Sequence, residues 1–596
     1  MAAIKTRQAT LNLGTLGNVS EGKSTFVRAI SGVATQKHKK EKVFNITIHL
    51  GYAGFKIWRH TESGDLKSSG SDVSAMADHE LIAHYSFADC PGHEAYLATM
   101  LSGASIMDAA ALLIASNSET IPQIQTEEHL IAAEFMGLPH VFTVQNKLDL
   151  VESAEPSLAK IRTFLHDTVA ERGPIIPLSA QRGWGLQHAL HHLAYGIPTP
   201  TRTFEGPLKM MVVRSFDINK PQAWVPGTST VAGGVLGGTI QRGVLHRDDV
   251  LEIRPGLWDG THVKPLLTTV KSLYSDTTEL PFAIAGGLIG VGTTLDPAFT
   301  SSNGLIGQVV GTPGTLPPIT RRIKGTFRRF VRSDGAKLPR QVEGDSISFC
   351  VGIATIKGRI SKISEKERTI TLERPVCLEK GQICGILRSN GERALLDGIL
   401  IVSHIQPFDG VMPWDAEETA LIAATQAKVL ARRYTVLPHD IHMDADALPS
   451  YERMLDDIES LHETETAATR IRFPIPSVTA IGGRARKTIW SNSTDFMAVL
   501  RSHTPVVEGL EAVALDEHFQ EFLMREFSTT MSVKAEGQYQ INCRLTDHNI
   551  QRVITKYLAA YHTCKQCGAL EVALVKEERI QKIVCSKCTA HSAVRA

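Results

Sequence analysis

Short apolar runs alternate with amphipathic stretches over residues 1–200. TLNLGTLG precedes the helix-like STFVRAI, and LIAHYSFAD, AAALLIAS, HVFTVQNK and PIIPLSA follow. Strand-length apolar runs spaced by helical stretches are the βαβ rhythm of a mostly parallel sheet, which predicts an α/β domain over 1–203. After Pro198 and Pro200 the pattern shifts to short Val/Ile/Gly-rich segments with turn signals, among them LKMMVVRSFDI, VAGGVLGGTI and GGLIGVGTTL. This predicts a β-barrel over 204–317, and SISFCVGIATIKGRI and TITLERPVCLEKGQICGIL predict a second over 318–408.

Residues 409–445 mix polar and small residues with scattered prolines and are read as a linker with some helix. In 446–465, Tyr451, Met454, Leu455, Ile458 and Leu461 fall at helical spacing and form one apolar stripe, the mark of a core or docking helix. A small α/β unit is expected over 466–560, and 561–596 carries paired cysteines. The fold class is therefore multidomain α/β plus β.

Length agrees with this division, since 596 residues at about 150 per domain make roughly four domains. With 43% hydrophobic and 21% charged residues, the composition is that of ordinary water-soluble protein. No apolar run approaches the ~18 residues of a membrane span, and MAAIKTRQAT lacks an apolar signal core, so a cytoplasmic location without a membrane partner is expected. A net charge of +1 supplies no global attraction to nucleic acid. Any RNA contact must be local. The most basic stretch runs from Arg321, Arg322 and Lys324 through Arg328, Arg329, Arg332, Lys337 and Arg340, with Asp334 its one acid. It suits an RNA backbone or an ordinary solvated barrel loop, and Arg484, Arg486 and Lys487 form a smaller patch.

Chemistry concentrates in the first third. Gly17-Asn18-Val19-Ser20-Glu21-Gly22-Lys23-Ser24, followed by Thr25, fits G-x-x-x-x-G-K-[ST] between a strand and a helix. Glycines let the loop's N–H groups turn onto phosphates, Lys23 brings positive charge to the β and γ oxygens, and Ser24 offers a hydroxyl to Mg2+. Asp89-Cys90-Pro91-Gly92 follows a strand. There Asp89 can hold magnesium through water and the Gly92 N–H can meet the γ-phosphate. Asn146-Lys147-Leu148-Asp149 ends another strand. Asp149 can accept both N1–H and N2–H of guanine, a donor pair adenine lacks, which selects GTP and GDP. Ser179, Ala180 and Gln181 close the base site, with the Ala180 N–H directed at O6. Thr47 lies where a switch threonine would complete the magnesium shell, and His93 is the candidate for orienting the attacking water, against the alternative of a hydrogen-bonded loop histidine. Lys23, Thr47 and His93 form the candidate catalytic set. No arginine in these motifs is placed as a finger, so slow intrinsic turnover and an activating partner are expected.

Of nine cysteines, Cys564, Cys567, Cys585 and Cys588 make two CxxC pairs separated by 17 residues, the spacing of a zinc ribbon. Four thiolates leave no open position, so a Zn2+ held there is structural.

Residues 9–408 resemble the gamma subunit of eukaryotic and archaeal translation initiation factor 2, through GKST, NITIHLGYA, DCPGHEAYLATMLSGASIMDAA, QNKLDL, RSFDINKP, VAGGVLGG and GGLIGVGT. The resemblance implies a G domain and two barrels that hold methionyl initiator tRNA and deliver it to the small ribosomal subunit. Residues 446–590 resemble the core of the same factor's beta subunit through YERMLDDIESL, GGRARKTIWSNSTDF, NIQRVITKYLAAYHTCKQCG and CSKC. The chain thus looks like a gamma–beta fusion, to which an alpha-type subunit, an activating factor and an exchange factor are implied partners. It departs from that family in three places. Glu21 stands where His is usual and sets an acid near the phosphates, the stretch after KIWRHTESGDLKSSGSDVS lacks knuckle cysteines, and the lysine-rich blocks before the beta core are missing. Another tRNA-carrying GTPase, or a GTP-binding scaffold with little turnover, are the alternative readings.

Overall fold

The computed structural model describes residues 6–36, 41, 47, 50–69, 78–93, 96–219, 232–330, 338–389, 394–432, 448–458, 476–481, 487–507, 511–534, 536–564, 569–577, 580–586 and 590–593. Leu461, Arg332, Asp334, Lys337, Arg484, Arg486, Cys567 and Cys588 lie outside them.

The first sheet is built on Leu11–Leu16 (β1), a strand whose residues are all buried. The loop after it leads to helix Lys23–Ser31 (α1). Gly51–His60 (β2), Leu66–Ser69 (β3), His79–Asp89 (β4), helix Leu97–Ala104 (α2), Ala109–Ala115 (β5), helix Ile124–Phe135 (α3), His140–Asn146 (β6), helix Glu155–Leu165 (α4), Ile175–Pro177 (β7) and helix Leu186–His191 (α5) follow. The sheet order is β3-β2-β4-β1-β5-β6-β7, parallel from β4 to β7, with β2 and β3 an antiparallel edge hairpin. Both faces are covered. Phe26, Val27 and Ile30 of α1 pack on one with Phe55, Phe87 and Leu190, and Leu97, Met100 and Leu101 of α2 cover the other with Leu130 and Ile161. This two-sided burial is why β5 reads as the unbroken apolar run AAALLIA.

Two six-stranded barrels follow. Lys209–Phe216, Val235–Arg242, Ile289–Thr293, Val263–Ser275, Val250–Trp258 and Val309–Gly311 close through the pairing of Val250–Trp258 with Val263–Ser275. Ile319–Arg329, Ser346–Val351, Ala354–Ile363, Glu367–Cys377, Ile383–Ser389 and Ala394–Pro407 make the other. The first barrel is tied to the G domain by Gln8, whose amide bonds the main chain of Ile284 and Gly286, and the segment leading into the barrel is held by Arg202, whose Nη2 donates to both carboxylate oxygens of Asp108 at 2.7 Å. The second meets α2, where Cys350, Leu387 and Leu396 share the α2 core.

The linker contains helix Ala416–Ala431, begun by an Asp415–Glu418 capping box and fastened to the first barrel by Arg432 on Asp249. Asp249 is driven up by burial, but its bonds from Arg432 and His246 hold it well below the usual carboxylate range. Beyond it, Val478–Ile481, Lys487–Trp490, Tyr539–Ile541 and Met531–Val533 form a sheet. Helices Ser493–Ser502, Leu515–Phe527 and Asp547–Tyr561 pack it around Trp490, Phe496, Phe519 and Tyr557. Strand Glu511–Ala512 leaves this unit to pair with Val572–Glu577 of the terminal sheet, so the α/β unit and the terminal module are stitched together in a way no local pattern announces.

Candidate nucleotide-binding site

The loops after β1, β4, β6 and β7, which carry all the motifs of the site except Thr47, sit at the carboxyl ends of parallel strands, the edge where open α/β sheets bind ligands. The phosphate loop joins β1 to α1 with Gly17 at φ 130° and Gly22 at φ 94°. Space as well as conformation demands glycine there. A Cβ on Gly17 would stand 2.4 Å from the Leu113 carbonyl oxygen, and one on Gly22 2.2 Å from Asn146 Nδ2. That Asn146 amide donates to the Glu21 carbonyl at 2.8 Å, tying the loop after β6 to the loop after β1.

Lys23 is buried and donates to the carbonyls of Gly17 at 2.9 Å and Asn18 at 2.6 Å. Burial lowers its pKa to about 8, against the pull of Asp89 and Glu21. Two supports escaped the sequence reading. The Gly17 N–H donates to His129 Nδ1 at 3.0 Å and the Asn18 N–H to Thr126 Oγ1 at 3.2 Å, both from α3. Burial, with Lys23 nearby, takes His129 down to about 3, so the ring is neutral and Nδ1 can accept. Their i, i+3 spacing in QTEEHL places them on one helix face, but nothing local shows that the face meets the loop.

Glu21 differs from expectation in where its carboxylate goes. It accepts the Ala115 N–H at the end of β5 and approaches Ser118 Oγ at 3.4 Å. Burial raises its pKa, opposed by these bonds and by Lys23 and Lys147.

Ser24 Oγ and Thr47 Oγ1 lie 2.9 Å apart. Asp89, fully buried, accepts from Thr15 Oγ1 at 2.9 Å and Thr35 Oγ1 at 2.6 Å, and Ser24 also bonds it. Ser24, Thr47 and Asp89, drawn from three separate motifs, therefore converge as hard oxygen donors, and burial raises the Asp89 carboxyl despite its hydroxyl partners. Gly92 presses on the phosphate loop so closely that a Cβ would fall 2.2 Å from Lys23 Nζ and 2.6 Å from the Asn18 carbonyl carbon. His93, next along, is exposed and stands 5.9 Å from the Tyr96 ring, centroid to centroid.

On the base side, Lys147 adopts φ 63° and turns the chain so that Asp149 accepts from Ser179 Oγ at 2.5 Å. The Ala180 N–H, expected to face the base, donates to Asn146 Oδ1 at 3.0 Å. Val19 and Ser20 complete the rim of the phosphate loop, Thr25 lies in the first turn of α1, and Gln181 is half-buried beside Ala180.

In the terminal module Cys564 and Cys585 are buried in one cluster with Val572, Leu574 and Ile583. Their N–H groups donate to the carbonyls of the residues five positions on, Ala569 and Ala590, at 2.8 and 3.0 Å. Part of the basic stretch already has partners within the protein. Arg321 lies over Trp258 and Phe408, Lys324 pairs with Glu367 at 2.8 Å, and Arg329 stands 3.8 Å from Asp397.

The family model described as "Elongation factor Tu GTP binding domain" matches residues 8–214, and "Initiation factor eIF2 gamma, C terminal" matches 319–399. The model of a domain found in initiation factors 2B and 5 matches 462–591. The chain is 41% identical over 412 residues to eukaryotic translation initiation factor 2 subunit 3 of Drosophila melanogaster, covering 64% of this chain and 86% of that protein. It is 42% identical over 402 residues to translation initiation factor 2 subunit gamma of Methanocaldococcus jannaschii, covering 66% and 97%. The crystal structure of elongation factor SelB from Methanococcus maripaludis, in complex with the GTP analogue GppNHp, shares the fold with a TM-score of 0.51 at 18% identity, over 67% of this chain and 80% of that one.

Proposed function

Since the chain belongs to the family of the translation initiation factor 2 gamma subunit and is a translational GTPase joined to a beta-like region, we propose that it carries methionyl initiator tRNA to the small ribosomal subunit as the GTP form and releases it after hydrolysis. The observation that carries this reading is a cavity of about 1130 Å³ on the first barrel, with Tyr52 of the G domain at its edge. Tyr52, Phe216, Tyr274 and Leu288 line it with a floor of glycines, an apolar setting for an aminoacyl end. Arg214 at its wall donates to the Leu50 carbonyl at 2.6 Å and lies 5.0 Å from the Tyr52 ring centroid. Leu50 is three residues from Thr47, so the nucleotide site and the cavity share one short stretch of chain.

In this reading Lys23 and the phosphate-loop N–H groups hold the β and γ phosphates, Asn146 and Asp149 select guanine, and His93 orients the attacking water. Ser24, Thr47 and Asp89 would hold magnesium, whose charge, when bound, neutralises the phosphate oxygens. The chain itself contributes position and fixed charge, with no covalent intermediate. The beta-like half, being tethered, meets the G domain at high effective concentration. An alpha-type subunit, an activating factor and an exchange factor complete the proposed partners.

Labelled methionyl initiator tRNA mixed with the purified chain in GTP, GDP or neither tests the reading. Binding is expected to be at least about ten-fold tighter in GTP than in GDP, within the usual range of coupling between two sites. Equal affinity for an elongator tRNA in GTP would refute the initiation role.

The burial of Cys564 and Cys585 in one cluster, with matching N–H bonds, supports a closed zinc site to which the CxxC spacing would add Cys567 and Cys588. Structural zinc is worth about 10–16 kcal/mol in small modules. Metal analysis of the purified chain is expected to show stoichiometric zinc, and Cys585→Ser to release it and leave 561–596 open to proteolysis while GTP binding is kept. Retention of full zinc by that variant would remove the site from consideration.

A further inference from the structure

Residues 448–458 of the beta-like half are seated on the G domain. Met454, 2% exposed, enters the core that holds Leu178, Ala180 and Leu190, with Leu448 and Tyr451 at its edge. One turn on, Ile458 completes a small cluster with Leu148, Ala154 and Trp184. The contact is close, since a Cβ on Gly185 would lie 3.1 Å from Ile458 Cδ1. The apolar stripe thus rests against two loops, one carrying Asn146, Lys147 and Asp149 and the other carrying Ser179 and Ala180.

A polar chain runs through the same place. Tyr451 Oη donates to Gln145 Oε1, and the Gln145 amide donates to the Ala154 carbonyl at 3.0 Å and Ser157 Oγ at 2.8 Å. Gln145 is fully buried and immediately precedes Asn146. Its own carbonyl accepts the Leu178 N–H at 2.9 Å, so this one residue ties β6 to the strand that leads into Ser179. Arg162, 5.8 Å from the Tyr451 ring centroid, and a 3.3 Å His188–Asp457 contact flank the seat.

We infer that Tyr451, backed by Met454 and Ile458, is a positioning residue for guanine recognition: through it the C-terminal half of the chain holds the Asn146 and Asp149 loop in place and slows release of bound guanine nucleotide. The inference rests on the reading of Asn146 and Asp149 as base contacts. Removing the Tyr451 hydroxyl leaves a buried acceptor on Gln145 without its donor, a loss felt at the residue next to Asn146. Apolar packing of the ring, Met454 and Ile458 is untouched by Tyr451→Phe, so the chain should still fold.

The experiment is stopped-flow release of N-methylanthraniloyl GDP, and of the corresponding inosine diphosphate, from the full-length chain. Inosine lacks the 2-amino group that Asp149 would grip. Tyr451→Phe is expected to speed GDP release by about five- to ten-fold, with a clearly smaller effect on inosine diphosphate. A merely structural loosening speeds both equally, and that result, or GDP release within two-fold of the parent, overturns the inference. Asp149→Asn tests the underlying reading by itself. It should exchange GDP for xanthosine diphosphate, because an amide can donate to the 2-oxo group. If it does so while Tyr451→Phe changes nothing, the inference alone fails. If Asp149→Asn leaves GDP binding as it was, the base-site reading fails and takes the inference with it.

Discussion

His93→Ala is expected to reduce partner-stimulated GTP hydrolysis by about 10²–10⁴-fold while leaving GTP affinity within about two-fold of the parent. The split follows from position. His93 comes directly after Gly92, whose close approach to Lys23 and Asn18 sets this loop against the glycine-rich loop. Its own ring is exposed to solvent. A residue so placed can orient a water for in-line attack without bearing on how tightly the ground state binds, which lowers turnover and spares affinity. Single-turnover phosphate release on small ribosomal subunits, with an activating factor supplied, measures the first quantity and nucleotide titration the second. Unchanged stimulated turnover would favour a GTP-binding scaffold over a cycling enzyme.

Lys23→Ala acts on binding itself, with an expected loss of GTP affinity of about 10²–10³-fold, equivalent to roughly 3–4 kcal/mol. The ammonium is the cation at the centre of the loop, and in a buried setting its attraction for phosphate is screened far less than at the surface. The same burial disfavours its charge in the free protein, where its pKa falls to about 8. Removing the amine therefore relieves a desolvation cost even as it takes donors from Gly17 and Asn18. The free chain should keep its melting temperature to within a few degrees, and the rise in melting temperature on adding GTP should vanish. A variant that GTP still stabilises as strongly as the parent would show that Lys23 is not the phosphate ligand.

The phosphate loop was legible in the sequence because its requirements are local. Gly17 and Gly22 are needed for conformations that only glycine adopts without strain, and Lys23 and Ser24 follow within two residues. The parallel strands were legible for a similar reason, since burial on both faces writes an unbroken apolar run. The edge hairpin β2–β3 was not, because its pairing with β4 depends on register across distant residues. His129, Thr126 and Thr35 stayed hidden on the same ground. A polar side chain whose partner lies tens to a hundred positions away looks, in one dimension, like any other helix or loop residue. Glu21 shows the limit from the other direction. The sequence placed an acid near the phosphates, while the direction of its carboxylate, toward the Ala115 N–H, was set by β5. The stripe from Tyr451 to Ile458 announced a helix with something to bury and was silent about what it would meet.

The seating of α2 on the second barrel has a mechanical consequence. This helix begins four residues after His93, and a Cβ on Gly385 of the barrel would come within 3.2 Å of Leu101 Cδ1. Close-packed contacts of this kind do not stretch; they hold one arrangement or part and take up another. A turn of α2 must therefore carry the barrel along as a lever carries its load, or break free of it, and Gly385 sets the clearance at that joint.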